Sequence, residues 1–215
     1  MINTILWDFD GTLVDTNELI IESWQYTYRH FLGHEKPIEV ITRCFGEPLL
    51  ITMEREFPGV DPEESSAVYR DYQKKMADKW IKIVPGIPEA LEKFKKLGYK
   101  QCIVTSRTGE SALRYLKIFG LEDCFDGIVS CEDTEAHKPD PEPIILALSK
   151  MGTRADEAIM IGDGPFDIKC ANNAGVRSVL VGWRVTGENN PIIDGAREDY
   201  EVDSPGTLVK LVAGL

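Results

Sequence analysis

The chain has 215 residues, with 36 acidic and 24 basic side chains and a formal net charge of −12. That balance argues against nucleic acid or an anionic membrane surface as a partner, since both demand a basic face. A hydrophobic fraction of 43% is enough for one buried core, with room for an inserted subdomain.

The first predicted element is the apolar run Ile5-Leu6-Trp7. It is short, β-branched and aromatic, so it reads as a buried strand that Gly11 punctuates. Asp8 and Asp10 follow its carboxyl end two positions apart, facing one way, while Phe9 faces the other. Two like charges this close call for a cation or a shared proton, and a hard divalent cation takes such oxygens. The pattern D-x-D-G also arises by chance and opens calcium loops. A calcium loop, however, needs further oxygen ligands between helices, whereas here a strand precedes and Leu13-Val14 follow.

From Asn17 the period changes to that of helices. One runs to about Leu32. A second runs from Pro37 to about Arg43, a third starts at Pro48, and a long fourth extends from Pro62 to about Trp80. Residues 17–82 are therefore predicted all-helical and interrupt an otherwise alternating β/α chain. Within them the turn Cys44-Phe45-Gly46-Glu47-Pro48-Leu49 stands out. Arg43 beside it is a candidate contact for an anionic group, or simply a solvated charge at a turn.

Val84-Pro85-Gly86 returns the chain to the alternating pattern, and a helix follows from about Pro88 to Leu97. Gln101 to Thr105 reads as the second core strand. Ser106, Arg107, Thr108 and Gly109 then lead into a helix ending near Phe119. A strand, a short polar loop and a helix present a hydroxyl and backbone N–H groups to an anion, although Thr108 or Ser106 could equally be an ordinary helix cap. Gly127 to Ser130 is a short third strand. Lys138 then stands in an acidic loop, held by Pro139 and Pro141 ahead of a helix to Met151. Ala158 to Ile161 is an apolar strand ending in Gly162-Asp163-Gly164-Pro165-Phe166-Asp167, and a helix runs on to Ala174. Asp167 also suits a helix N-terminus, where the dipole favours a carboxylate. Arg177 to Val181 is a fifth strand. Gly187 to Asp203 reads as a polar loop, and Gly206 to Ala213 as a final helix.

Strands alternating with helices imply an α/β fold, a Rossmann-like doubly wound parallel sheet. Residues 1–16 and 83–215 form this core in the reading, and 17–82 the inserted helical block. Ligands on such sheets bind beyond the carboxyl ends of the strands. Asp8, Thr105, Lys138 and Asp163 all fall there. The five cysteines, Cys44, Cys102, Cys124, Cys131 and Cys170, contain no C-x-x-C pair, which points to reduced thiols in a cytoplasmic protein rather than a zinc site. Residues 1–7 lack the basic start of a signal peptide, and no apolar run approaches the ~18 residues of a spanning helix.

Taken together, DFDGTLVDT, the strand ending in Thr105, Lys138-Pro-Asp-Pro and Gly162-Asp163-x-x-x-Asp167 resemble the four motifs of the haloacid dehalogenase superfamily, in its phosphoglycolate phosphatase-like group. The resemblance covers nearly the whole chain. It implies a helical cap over residues 17–82 and a magnesium ion held by Asp8, Asp10 and Asp163, with Asp167 as a further ligand or as a group orienting water or Lys138. It makes Asp8 the nucleophile, Asp10 the acid and base, and Lys138 the cation that neutralises the transferring group. Gly11, Thr105 and Ser106 would bind the phosphoryl oxygens, and Arg43 a leaving group. The implied activity is magnesium-dependent hydrolysis of a small phosphorylated metabolite or inorganic pyrophosphate through an aspartyl-phosphate. A phosphoglycolate-type phosphatase, another small phosphomonoester hydrolase and a sugar phosphomutase share that chemistry. Asp10 argues against the dehalogenating branch, which does without an acid there. A non-catalytic binding protein on the same fold would be expected to have lost these residues. The oligomeric state is left open.

Overall fold

The computed structural model of the chain describes residues 1–45, 47–183 and 195–215. The chain begins with β1 (Thr4–Trp7) and β2 (Val14–Asp15). Four helices follow: α1 (Asn17–Leu32), α2 (Ile38–Thr42), α3 (Leu49–Glu56) and α4 (Pro62–Trp80). Next come β3 (Lys82–Ile83), α5 (Ile87–Lys96), β4 (Lys100–Val104), α6 (Gly109–Phe119), β5 (Gly127–Val129) and α7 (Glu142–Met151). The chain closes with β6 (Ala158–Gly162), α8 (Pro165–Ala174), β7 (Arg177–Val181), β8 (Tyr200–Val202) and α9 (Pro205–Val212).

Six strands form one parallel sheet in the order β5-β4-β1-β6-β7-β8. From β1 the chain winds first toward β4 and β5. It then crosses back to β6 on the other flank, so the switch point lies beside β1. Helices cover both faces, which is why β1 and β6 read as near-continuous apolar runs. Side chains still alternate. Ile5, Trp7, Ile103, Ile159 and Ile161 enter one core, while Leu6, Cys102, Val104, Ala158 and Met160 enter the other. Trp7 is fully buried, and its indole N–H donates to Gln101 Oε1 at 3.2 Å. The Gln101 amide in turn donates to Leu91 O and Cys124 O, so this polar pair sits satisfied inside the core.

Helices α1 to α4 gather around their own cluster of Trp24, Tyr28, Ile41, Met53, Phe57 and Tyr69. Trp24 stacks on Phe57 at 6.4 Å and packs tilted against Tyr69 at 5.2 Å, measured between ring centroids. Glu56 sits at the cluster's edge, accepting hydrogen bonds from Tyr28 Oη and Lys36 Nζ, each at 2.9 Å. The chain enters this block after β2 and leaves it at β3, and the two strands pair antiparallel, Val14 opposite Ile83 and Asp15 opposite Lys82.

One prediction needs correction. The stretch from Gly187 to Asp203 reads as loop, yet Tyr200–Val202 is a sixth parallel strand at the sheet edge. The strand has three residues, and only Val202 is fully buried, so no period is visible. Its position is set by neighbours: Asp199 accepts from Ser178 N at 2.8 Å. Residues 187–194 of that stretch, and Gly46 of the turn after α2, lie outside the described residues.

Candidate active site

The site follows from the fold's own arithmetic. β1 ends at Trp7, so Asp8 emerges past the sheet edge, with its backbone N–H fixed to Ile161 O of β6 at 2.8 Å. β6 ends at Gly162, which brings Asp163 out beside Asp8. Thr105 follows β4 in the same way. Lys138 arrives from the loop after β5, across a cis peptide bond to Pro139. Asp167 lies in the first turn of α8.

Lys138 is only 5% exposed, and its Nζ lies 2.6 Å from both Asp8 Oδ1 and Asp167 Oδ1 and 3.3 Å from Val104 O. Burial alone would lower the lysine's pKa. The Asp167 and Asp8 carboxylates override this and raise it, so the ammonium stays charged. The acids are driven the other way. Burial, then the Asp167 charge, pushes Asp8 up to about 7 against the pull of Lys138. Burial, then the charges of Asp8 and Asp167, raises Asp163 well above the usual carboxylate range. Three carboxyl groups thus crowd one lysine, and burial disfavours the charged forms of Asp8 and Asp163.

Asp8, Asp163 and Asp167 each offer an oxygen within 4.8 Å of the others. Hard oxygen donors at this spacing suit a small divalent cation. Two glycines keep the space open. Gly11 has φ +81°, and a Cβ there would stand 2.2 Å from Asp163 Oδ2. A Cβ on Gly162 would stand 2.4 Å from that of Asp167. Both oxygens of Asp167 already have partners, Lys138 Nζ on one and Gly164 N–H at 3.2 Å on the other, which suits it to orienting the lysine.

Asp10 stands outside this trio. Arg107 grips it with Nε on Oδ2 at 3.0 Å and Nη2 on Oδ1 at 2.5 Å. Burial alone would raise Asp10, but the guanidinium more than offsets it and holds the carboxyl below its ordinary value. Arg107 lines the cavity and was not among the predicted site residues. A single arginine in a polar loop carries no period, and the signal was its position two residues after the strand-end Thr105.

The remaining predicted residues divide. Asp8, Asp10, Gly11, Thr105, Ser106, Lys138, Asp163 and Asp167 all line one cavity of about 370 Å³ between the sheet edge and the helical block. Gly11 donates its N–H to Val14 O at 2.8 Å, so in this structure it contributes room rather than a free donor. Thr105 Oγ1 accepts from Arg107 N at 3.1 Å. Arg43 is the correction. It caps α2 and is exposed, away from the cavity lining, because Ile41 and Cys44 occupy the face of that turn packed into the helical block. Across the cavity, α4 presents Tyr69 and Gln73, which are hydrogen-bonded to each other at 3.0 Å.

This sheet, with an acid pair after its first strand and a lysine and further acids on neighbouring strand ends, is that of a hydrolase. The chain belongs to the haloacid dehalogenase-like hydrolase family, whose model matches residues 5–181. A protein of Caldanaerobacter subterraneus, provisionally named a pyrophosphatase PpaX, is 41% identical over 213 residues, covering 99% of this chain and 96% of its own. The pyrophosphatase PpaX of Halalkalibacterium halodurans is 38% identical over 214 residues, covering 98% and 97%. Among solved structures, a haloacid dehalogenase-like hydrolase of Streptococcus pneumoniae superposes with a TM-score of 0.85 at 26% identity, covering 98% of each chain. Among the described residues no helix is long and apolar enough to cross a membrane.

Proposed function

We propose that the protein is a magnesium-dependent pyrophosphatase working through an aspartyl-phosphate on Asp8. The observation that carries the reading is the convergence on Lys138 of the Asp8 and Asp167 carboxylates, with Asp163 beside them. The PpaX relatives supply the substrate.

The Asp8 carboxylate is the nucleophile, with its Oδ1 held by Lys138. It forms a bond to phosphorus in line with the departing oxygen as the phosphorus–oxygen bond to the leaving group breaks. Asp10, released from Arg107 and carrying a proton taken up from solvent, delivers that proton to the leaving oxygen. In the second step it takes a proton from the attacking water, whose oxygen bonds to phosphorus as the bond to Asp8 breaks. Lys138, Thr105 and the Ser106 backbone stabilise the equatorial oxygens. Asp8 and Asp163, with the carbonyl of Asp10, are the groups that would hold magnesium, and Asp167 steadies Lys138. When bound, the ion offsets the negative charge gathered between nucleophile and phosphate. Residues 17–82 act as the cap that excludes water, and residues 1–16 and 83–215 as the catalytic core. The five free cysteines suit a cytoplasmic setting.

The test is phosphate release from pyrophosphate, and from an aryl phosphate, with magnesium. The wild-type protein turns both over. Asp8→Asn turns over neither while keeping its circular dichroism spectrum. Full activity in that variant, with contamination and deamidation excluded by mass spectrometry, would overturn the nucleophile.

A further inference from the structure

Arg107 is built into the site more firmly than a surface charge. Its side chain is 10% exposed. The guanidinium carbon lies 5.6 Å from the Phe9 ring centroid and 5.4 Å from that of Tyr115, and Nη1 donates to Ser111 Oγ at 2.8 Å. Phe9 and Tyr115 are themselves buried, so the arginine's plane is fixed from the core side. Its fork covers both oxygens of Asp10. In that state no substrate oxygen can reach Asp10 along the line the guanidinium occupies. The planar fork that matches a carboxylate matches a phosphate equally well. Arg70, Lys74 and Arg114 also line the cavity but are exposed, and Arg114 is committed to Asp78 at 2.9 Å.

We infer that Arg107 is the specificity residue for the leaving group. It exchanges its grip on Asp10 for the negatively charged half of the substrate that departs, and the exchange uncovers Asp10. The site thereby selects phosphoryl compounds whose leaving group is itself an anion, with the outer phosphate of a diphosphate as the fitting case. A neutral alcohol or phenol leaves the fork where it is. This rests on the pyrophosphatase reading and deepens it, because it assigns the discrimination to a core residue rather than to the helical block.

The experiment compares pyrophosphate with p-nitrophenyl phosphate, whose organic half carries no charge before cleavage, for wild type, Arg107→Gln, Arg107→Lys and Ser111→Ala. For pyrophosphate, Arg107→Gln is expected to lower kcat/KM by about 10- to 100-fold, the span of a charge-assisted hydrogen bond, chiefly through KM. Arg107→Lys recovers part of this, and Ser111→Ala shows a smaller loss in the same direction. For p-nitrophenyl phosphate the same variants are expected to lose at least about tenfold less kcat/KM than for pyrophosphate, because its leaving group makes no use of the fork. Calorimetry with pyrophosphate on the Asp8→Asn background, with and without Arg107→Gln, should show the same weakening without turnover. Equal losses on both substrates in soluble, folded variants, or no loss on pyrophosphate, would overturn the inference while leaving the pyrophosphatase reading intact. A wild-type protein that hydrolyses p-nitrophenyl phosphate but neither hydrolyses nor binds pyrophosphate would remove both.

Discussion

Lys138 reaches Asp8 across 130 positions of sequence, with its Nζ 2.6 Å from the carboxylate, and neither group is more than 8% exposed at its side chain. A buried ion pair of this kind adds little to stability over an apolar pair, but breaking one side of it is expensive. Lys138→Met should therefore lower kcat by about 10²–10³ and destabilise the protein by about 3–5 kcal/mol. Denaturant unfolding read beside steady-state rates checks both effects.

Asp163 carries the opposite stability sign. Burial and its acidic neighbours make its charge unwelcome in the metal-free protein. Asp163→Asn should raise the melting temperature without magnesium and abolish the rise that magnesium gives the wild type. That rise corresponds to about 2.7 kcal/mol at a hundredfold excess over the dissociation constant. A thermal melt with and without magnesium separates the two effects, and an unchanged magnesium response would remove Asp163 from the ligand set.

Gly11 carries both a conformational and a steric demand. Gly11→Ala must hold a β-carbon at φ +81°, against an Asp163 oxygen only 2.2 Å away. The backbone strain alone costs about 1–3 kcal/mol. The displaced Asp163 should cost magnesium affinity as well. Lower unfolding stability together with a higher magnesium requirement is the expected result.

Glu56 supplies a pH prediction away from the catalytic acids. Burial would raise its pKa, but hydrogen bonds from Lys36, Tyr28 and Arg55 together hold it below the usual range. A carboxylate depressed in the folded state stabilises above its unfolded pKa, and that contribution disappears as pH falls through the folded value. Wild type should exceed Glu56→Gln in stability by about 1 kcal/mol near neutral pH, with the gap closing below about pH 4. Parallel melts across that range give the answer, and a gap independent of pH would contradict it.

The sheet's central strands were legible because β1, β4 and β6 each end in an apolar stretch closed by Gly, Thr or an acid, and the residues at and after those closures are the ones the structure gathers in one cavity. Tyr200–Val202 was not, since an edge strand of three residues owes its position to β7 rather than to its own pattern. Arg43 and Arg107 show the same limit from two sides. Both are single arginines at the boundary of a helix. Only packing distinguishes the one turned to solvent from the one wedged between Phe9 and Tyr115. Charge, unlike hydrophobicity, leaves no repeat by which its direction can be read.

The ribbon of β2 and β3 has a consequence for how such a molecule can be altered. Departure from the sheet and return to it occur at adjacent points, Val14 against Ile83 and Asp15 against Lys82. A foreign segment transplanted between them has to match one pair of neighbouring anchors, whatever its interior. The scaffold can thus exchange its entire roof and keep the floor, which carries the acidic cluster, in register.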